Sequence, residues 1–263
     1  MRKITLVCSS VLLTTITFFT SCEKKDSKTS ATITSVSKMS IKSGVDYTSE
    51  MKQAATVHNA YLDYMYNKCL TGELTTERTP DNFNKAMELT NEYYISNKIT
   101  TTDGWDGLTV LLNNWNQSGQ KIVDFSNQYV QENASPAFIS YSNQINDLLS
   151  SMDMDFIVKS NNIFTTALRA GDLTDIELDG LANAIGVAQG SFSYWTTDDN
   201  ISKWTEITGG EVVPERWGAL AAADGGGALA GCAYGAWCGP LGAGAGAVGA
   251  AAFFSAACIL DWD

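Results

Sequence analysis

The sequence predicts an all-α protein, a helical bundle of about six helices followed by a Gly/Ala-rich helical hairpin. Three observations support this fold class. Between residues 46 and 196, apolar residues recur at alternating steps of three and four, the spacing of one helix face. Thr-Pro and Ser-Pro pairs there mark helix starts, and we find no alternating strand pattern. Roughly 150 residues suffice for one hydrophobic core.

The first two helices follow from this spacing and from one capping signal. The first helix begins at about residue 49. Its apolar stripe consists of Met51, Ala55, His58, Leu62, Met65 and Cys69. The pair Thr79-Pro80 combines a capping residue with a proline suited to the first helical position, so it predicts the start of the second helix.

Four further helices are predicted before residue 196. The third is one continuous helix, whose apolar positions are Leu108, Leu111, Trp115, Ile122, Phe125 and Tyr129. Ser135-Pro136 predicts the start of the fourth, and the acidic run at 153–155 separates it from the fifth. Thr174 and Glu177 have the spacing of a capping box, which predicts the start of the sixth helix.

Glycines define the C-terminal segment, where we expect a linker over residues 197–217 and a hairpin over 218–263. Their spacing of four residues places them on one helix face, on both sides of a break at Pro240. These glycines are Gly227, Gly231, Gly235, Gly239, Gly242 and Gly246. Such a face permits close approach of another backbone. Each glycine costs a helix about 1 kcal/mol relative to alanine, so these helices require burial. A bilayer, a second copy and the protein's own helical domain all remain open as the partner.

The N-terminus has the parts of a secretory signal peptide over residues 1–21. Arg2 and Lys3 precede a short apolar run that ends in small residues. Phe19-Thr20-Ser21-Cys22 resembles the lipobox of bacterial lipoproteins, with phenylalanine in place of the usual leucine or valine. The resemblance implies cleavage before Cys22 and lipidation of its thiol, which would anchor the protein to a membrane. An ordinary signal peptide with an incidental cysteine is the alternative.

Residues 22–45 are rich in Ser, Thr and Lys and poor in apolar side chains, so we expect a disordered tether. The charged run at residues 23–26 resembles surface-export signals of some Gram-negative lipoproteins, which implies the outer membrane or cell surface. Loss of Arg2 and Lys3 with the signal would leave 15 basic residues against 29 acidic ones, a net charge of −14. Such a chain is repelled by phosphate backbones, so we expect no nucleic-acid partner.

Cysteine usage fits an oxidising compartment. After the signal peptide and the lipidated cysteine are set aside, Cys69, Cys232, Cys238 and Cys258 remain. Three of them are close together in the C-terminal segment, so at least one disulfide among Cys232, Cys238 and Cys258 is plausible. Their spacing does not suit zinc, and no histidine is near, so we expect no metal site.

The sequence contains no recognisable catalytic or cofactor-binding motif. His58 is the one histidine of the chain, and its place on an apolar stripe indicates a core residue rather than a catalytic base. Residues 244–249 match the pattern Gly-x-Gly-x-x-Gly, but no strand precedes them and no acid follows at the required distance. We therefore expect neither catalysis nor a cofactor.

Composition and glycine spacing make the C-terminal region resemble the Gly/Ala-rich class II bacteriocins, small membrane-active peptides. The resemblance covers about 50 residues and implies membrane insertion and self-association. Two functions follow as hypotheses. The first is a non-catalytic, lipid-anchored envelope protein whose glycine zipper mediates self-association, as in a homo-oligomer, or membrane contact. The alternative is a bacteriocin-like or toxin-like lipoprotein that permeabilises membranes.

Overall fold

Helices account for the secondary structure of the described residues, which include no strand. The computed structural model describes residues 45–77, 79–99, 102–151, 153–208, 214–235 and 240–259. Within these ranges, the side chains of residues 102–105, 214–217, 235, 240–245, 252, 255, 258 and 259 are not described. The signal peptide, Cys22 and nearly all of the tether therefore lie outside the description. The all-α prediction is confirmed.

Ten helices are present in these ranges. They are α1 (Tyr47–Leu70), α2 (Pro80–Ser96), α3 (Thr102–Ser118), α4 (Ile122–Asn133), α5 (Pro136–Ser150), α6 (Phe156–Ala170), α7 (Asp175–Trp195), α8 (Asp198–Thr208), α9 (Pro214–Gly235) and α10 (Pro240–Ile259). All belong to one compact unit. The predicted count of about six helices plus a hairpin is too low, because one predicted helix is split and one helix was not foreseen.

The split falls at Gly119. Its φ of +67° lies in the left-handed region, which ends α3 and turns the chain into α4. The indole Nε1 of Trp115 donates to the carbonyl oxygen of Gln120 (3.1 Å), which fixes this turn. The apolar stripe predicted to be continuous is therefore shared between two helices. Within segment 197–217, predicted as a linker, residues 198–208 form α8, and α9 already begins at Pro214.

Capping accounts for the helix starts that the sequence indicated. The side-chain oxygens of Thr79 and Ser135 accept hydrogen bonds from backbone N–H groups three residues on. Thr174 and Glu177 form a reciprocal capping box at the start of α7. In each case a donor at the helix N-terminus, which lacks a partner within the helix, is satisfied by a neighbouring side chain.

The Gly/Ala-rich hairpin lies at the centre of the bundle. Helices α9 and α10 pack against each other; α9 also contacts α3, α4, α5 and α7, and α10 contacts α1, α2, α3 and α7. The rings of Phe253 and Phe254 in α10 lie beside Trp115, with centroids 6.3 and 5.3 Å apart. The Tyr94 hydroxyl of α2 donates to the carbonyl oxygen of Val248 (3.0 Å). Of the three partners left open by the sequence, the described part of the hairpin contacts its own helical domain.

Candidate functional site

The glycine-lined contact between α9 and α10 is the first of two candidate sites, and it lies inside the fold. A Cβ atom at Gly231 would be 2.0 Å from the carbonyl oxygen of Gly246 and 2.7 Å from Cβ of Ala250. A Cβ at Gly227 would be 2.6 Å from the Phe254 ring. At Gly231 the backbones of α9 and α10 approach each other too closely for any other residue, whereas the close neighbour of Gly227 is an aromatic side chain. The four-residue glycine spacing therefore serves an intramolecular contact here.

The rest of the predicted glycine stripe is only partly described. Gly235 lies at the end of α9 and Gly242 in the first turn of α10, and their surroundings are not described. Gly239 lies outside the described residues. Two other glycines of the hairpin face the surrounding bundle. Gly225 lies against Leu149 of α5, and Gly249 lies against Leu108 of α3. Small residues thus admit neighbours on more than one side of the hairpin.

A second close helix contact was not predicted, although the sequence contains its signal. A Cβ at Gly186 would be 2.3 Å from the carbonyl oxygen of Met51, and one at Gly190 would be 2.8 Å from Cα of Ala55. These two glycines are four residues apart on α7, and they bring α1 against α7. The Gly-x-x-x-Gly pattern of residues 186–190 could have indicated this interface.

The second candidate site is a buried polar cluster where α1, α7 and α9 meet. His58 of α1 and Asp224 of α9 are both 0 % exposed, and His58 Nε2 lies 3.4 Å from Asp224 Oδ2. The same carboxylate oxygen accepts from the Ser191 hydroxyl and from the Trp195 indole Nε1 (3.2 Å), both on α7. A buried carboxylate is costly unless it is hydrogen-bonded, and Oδ2 of this one accepts two hydrogen bonds. The cluster therefore ties α9 to α7 and α1.

Hydrogen bonds also orient the histidine ring. Nδ1 lies 3.0 Å from Oδ1 of Asn59, whose Nδ2 donates to the carbonyl oxygen of Gly190 (3.2 Å). Nε2 has no hydrogen-bond partner in the structure, and neither has Oδ1 of Asp224. The expected core histidine is thus a residue satisfied at one nitrogen and placed beside a buried acid at the other. Asp224 was missed by the sequence analysis, although an acid inside an Ala/Gly-rich helix is a signal.

The arrangement does not match a catalytic triad. In a triad the serine hydroxyl bonds to one histidine nitrogen and the acid to the other. Here the carboxylate lies between the other two groups, because Ser191 bonds to Asp224 and not to His58. Ser191, like His58 and Asp224, is 0 % exposed, so a substrate could not reach any of the three in this conformation. The cluster connects helices.

Two cysteines have described thiols, and both are free. Cys232 of α9 is fully buried, and burial raises the pKa of its thiol well above the ordinary value. Cys69 is half-buried, and burial raises its pKa to about 11. Cys238 lies outside the described residues, and the side chain of Cys258 is not described. The predicted disulfide in this segment stays a prediction.

The described residues contain no group of three or more His, Cys, Asp or Glu side chains placed to hold a metal ion. No helix within the described ranges has both the length and the apolar character required to span a bilayer.

Comparison of the chain with protein-family models, with curated proteins and with solved structures finds no match.

Proposed function

We propose that this chain is a non-catalytic, lipid-anchored protein of the outer membrane or cell surface, which keeps its glycine-zipper hairpin inside a helical domain. In this proposal, contact with a membrane or with a second copy is made by the hairpin after it leaves that domain. The observation that carries the proposal is the contact between Gly231 and Gly246: the zipper surface is occupied within the folded chain. A partner can reach it only by replacing α10 or the surrounding helices.

The side chains of the hairpin make such a release less costly than it would be for a leucine-rich hairpin. Hydrophobic stabilisation scales with the apolar area removed from water, at about 25 cal/mol per Å². Most buried side chains of α9 and α10 are alanines, which carry little apolar area. The described side chains of α10 include no charged group. A bilayer or a second hairpin could therefore replace the apolar contacts that α10 makes with the bundle.

A reversible disulfide between α9 and α4 would test whether the hairpin has to leave the helical domain before it contacts a membrane or a second copy. A Cβ at Gly226 would be 3.4 Å from Cβ of Ser126, close to the separation of about 3.5–4.5 Å found in disulfides. We therefore suggest the double variant Ser126→Cys/Gly226→Cys. Its oxidised form should hold α9 in the bundle, and its reduced form should release it. The single variant Ser126→Cys is the matched control.

The double variant, made without the signal peptide and Cys22, would be mixed with vesicles. Flotation would measure its binding to the vesicles, and light scattering would measure its oligomeric state. We expect the reduced form to float with vesicles or to form oligomers, and the oxidised form to remain monomeric and unbound. Equal vesicle binding or oligomer formation by both forms would show that the hairpin is not the contacting element. In that case the proposed role of the zipper is wrong.

A second candidate function is permeabilisation of a target membrane. The burial of an Ala/Gly-rich hairpin at the centre of the bundle favours it, because such a fold would keep a membrane-active segment in solution until release. Leakage of a vesicle-enclosed dye distinguishes the two functions. Permeabilisation requires leakage with the reduced double variant and none with the oxidised one, whereas simple contact leaves the dye enclosed under both conditions.

The lipid anchor is tested separately. Expression of the full chain and of Cys22→Ser, followed by separation of membrane and soluble fractions, should place only the unsubstituted protein with the membranes. Mass spectrometry of the N-terminal peptide should show the acyl chains on Cys22. An unmodified Cys22 in a cleaved, soluble protein would favour the ordinary signal peptide.

A further inference from the structure

A cluster of apolar side chains lies on the surface where α6 begins. Among the residues that the structure describes, six large apolar side chains are exposed. Three of them, Met154, Ile157 and Val158, fall within five consecutive residues and are 82, 43 and 62 % exposed. The other three lie singly on α1, α2 and α3. Single apolar residues are normal on a protein surface, whereas a cluster indicates an interaction site. We call the cluster of three the α6 patch.

The backbone brings the three side chains of the patch together. The N–H of Phe156 donates to the carbonyl oxygen of Asp153 (2.8 Å), so the chain turns directly into the helix. Residues three and four positions apart are neighbours on a helix surface. Ile157 and Val158 stand at these two distances from Met154, so the three form one apolar surface.

Rotation of α6 cannot bury this patch, because the opposite side of the helix is fixed to the bundle. The ring of Phe156 is 0 % exposed and stacks on that of Phe192 in α7, with centroids 5.5 Å apart. Ser160 is also buried, and its hydroxyl oxygen accepts from the side-chain Nε2 of Gln189 (2.9 Å). The exposure of the α6 patch is therefore a consequence of how α6 packs on α7.

The size of the patch argues against a second protein as its partner. Specific protein interfaces take about 20–30 residues from each side, and the α6 patch has three. A bilayer surface has no such minimum area, because each apolar side chain that enters it contributes separately. The patch is thus large enough for membrane contact and too small for a stable dimer.

The start of the described chain lies against the same helix. The ring of Tyr47, in the first turn of α1, packs on that of Phe164 in α6, with centroids 5.1 Å apart. Phe164 is seven residues from Ile157, or about 10 Å along the helix. Val45 follows Cys22 by 23 residues, and a chain of that length reaches at most about 80 Å. A lipid on Cys22 would therefore keep the α6 patch close to a bilayer.

Charges beside the patch indicate the kind of lipid. Lys159 Nζ lies 2.5 Å from Oδ2 of Asp153 and 3.8 Å from Oδ2 of Asp155, so its charge is already paired. The two acids and one base leave one net negative charge. Anionic lipid gains nothing from such a surface, whereas lipid without net charge can receive the apolar side chains.

We infer that the α6 patch docks the folded domain on the bilayer that holds its anchor, with Met154, Ile157 and Val158 entering the region between headgroups and acyl chains. This inference rests on the proposed lipid anchor. Three partly exposed side chains bind a bilayer weakly, and stable attachment takes two signals. The anchor supplies the second signal and makes docking intramolecular in effect. A chain without the anchor should therefore not float with vesicles through this patch alone.

A fluorescent amino acid at position 158 would test the docking. Val110 provides the matched control, because it is an exposed valine on another helix, α3. The full chain with its own lipid would be inserted into phosphatidylcholine vesicles that contain nitroxide-labelled lipid, which quenches a fluorophore that enters the bilayer. We expect stronger quenching at position 158 than at position 110. Equal quenching at the two positions would overturn the inference.

Loss of the other two apolar side chains gives a second reading. The double variant Met154→Gln/Ile157→Gln changes only exposed side chains, so it should fold normally. With the fluorophore at position 158, we expect the variant to lose the additional quenching while it stays on the vesicles through its lipid. Undiminished quenching would show that the apolar side chains do not make the contact, and it would overturn the inference.

A separate preparation distinguishes this inference from the proposed anchor. A hexahistidine tag in place of Cys22 holds the chain on phosphatidylcholine vesicles through a nickel-chelating lipid. If the native chain carries no acyl group, the proposed anchor is wrong, while the tagged chain still reports docking through the difference between positions 158 and 110. Emission from position 158 that changes with protein concentration in the absence of vesicles would assign the patch to a second copy. That result would also overturn the inference.

Discussion

Gly231→Ala is expected to destabilise the protein, although alanine is the better helix former. The added Cβ would lie 2.0 Å from the carbonyl oxygen of Gly246, whereas ordinary contacts of such atoms begin at 3.4 Å. The backbones of α9 and α10 would have to separate by about 1.4 Å at this point, because a backbone atom has no rotamer by which to move away.

The magnitude follows from two opposing effects. Replacement of a helical glycine by alanine stabilises a helix by about 1 kcal/mol. Overpacking of a well-packed core costs about 1–3 kcal/mol, and a collision with backbone belongs at the upper end. We expect the free energy of unfolding to fall by about 2 kcal/mol. Equilibrium unfolding in urea, followed by circular dichroism and extrapolated to water, measures this difference.

Gly226→Ala is the control in the same helix. Its Cβ would lie 3.4 Å from Cβ of Ser126, an ordinary contact, so the helix preference should dominate. We expect this variant to gain about 0.5–1 kcal/mol. If Gly231→Ala proves as stable as Gly226→Ala, the close approach of α9 and α10 is wrong.

Three further predictions concern other parts of the fold. Asp224→Ala should lower the free energy of unfolding by about 3–5 kcal/mol, because the Ser191 hydroxyl and the Trp195 indole lose their buried, charged acceptor; urea unfolding at pH 7 checks this, and a loss below 1 kcal/mol would contradict these hydrogen bonds. The raised pKa of Cys69, about 11, predicts slow alkylation at pH 8 and a rate that rises about tenfold per pH unit up to that value, as mass spectrometry can follow; a plateau by pH 9 would refute it. Thr174→Ala should cost about 1 kcal/mol through loss of the capping box with Glu177, again by urea unfolding, and an unchanged midpoint would show that the box contributes nothing.

Local signals in the sequence account for much of the fold. Caps at Thr79, Ser135 and Thr174 are determined by side chains within three residues, so the corresponding helix starts could be predicted. The break at Gly119 could not, because the apolar stripe continues through it and only the turn geometry reveals the interruption. An isolated glycine in a helical pattern does not by itself show that the chain turns.

Long-range contacts limited the prediction of the site. His58 and Asp224 are far apart in the chain, and no local pattern shows that α1 and α9 meet. The glycine spacing predicted a close helix contact. Spacing identifies the glycine-lined face of a helix, but it does not identify the partner that packs against this face. The buried acid could have been suspected from its apolar surroundings, whereas its partners depend on the packing of three helices.

The central position of α9 and α10 has a consequence for the order in which the chain can fold. These helices come last among those described, yet they contact α1, α2, α3, α4, α5 and α7. During synthesis on a ribosome, the earlier helices would keep their apolar faces uncovered until α9 and α10 are made. Contacts between such distant parts of a chain form slowly, and uncovered apolar faces favour aggregation. A chain that stops before Pro214 should therefore be a target for chaperones and proteases and not a smaller stable domain.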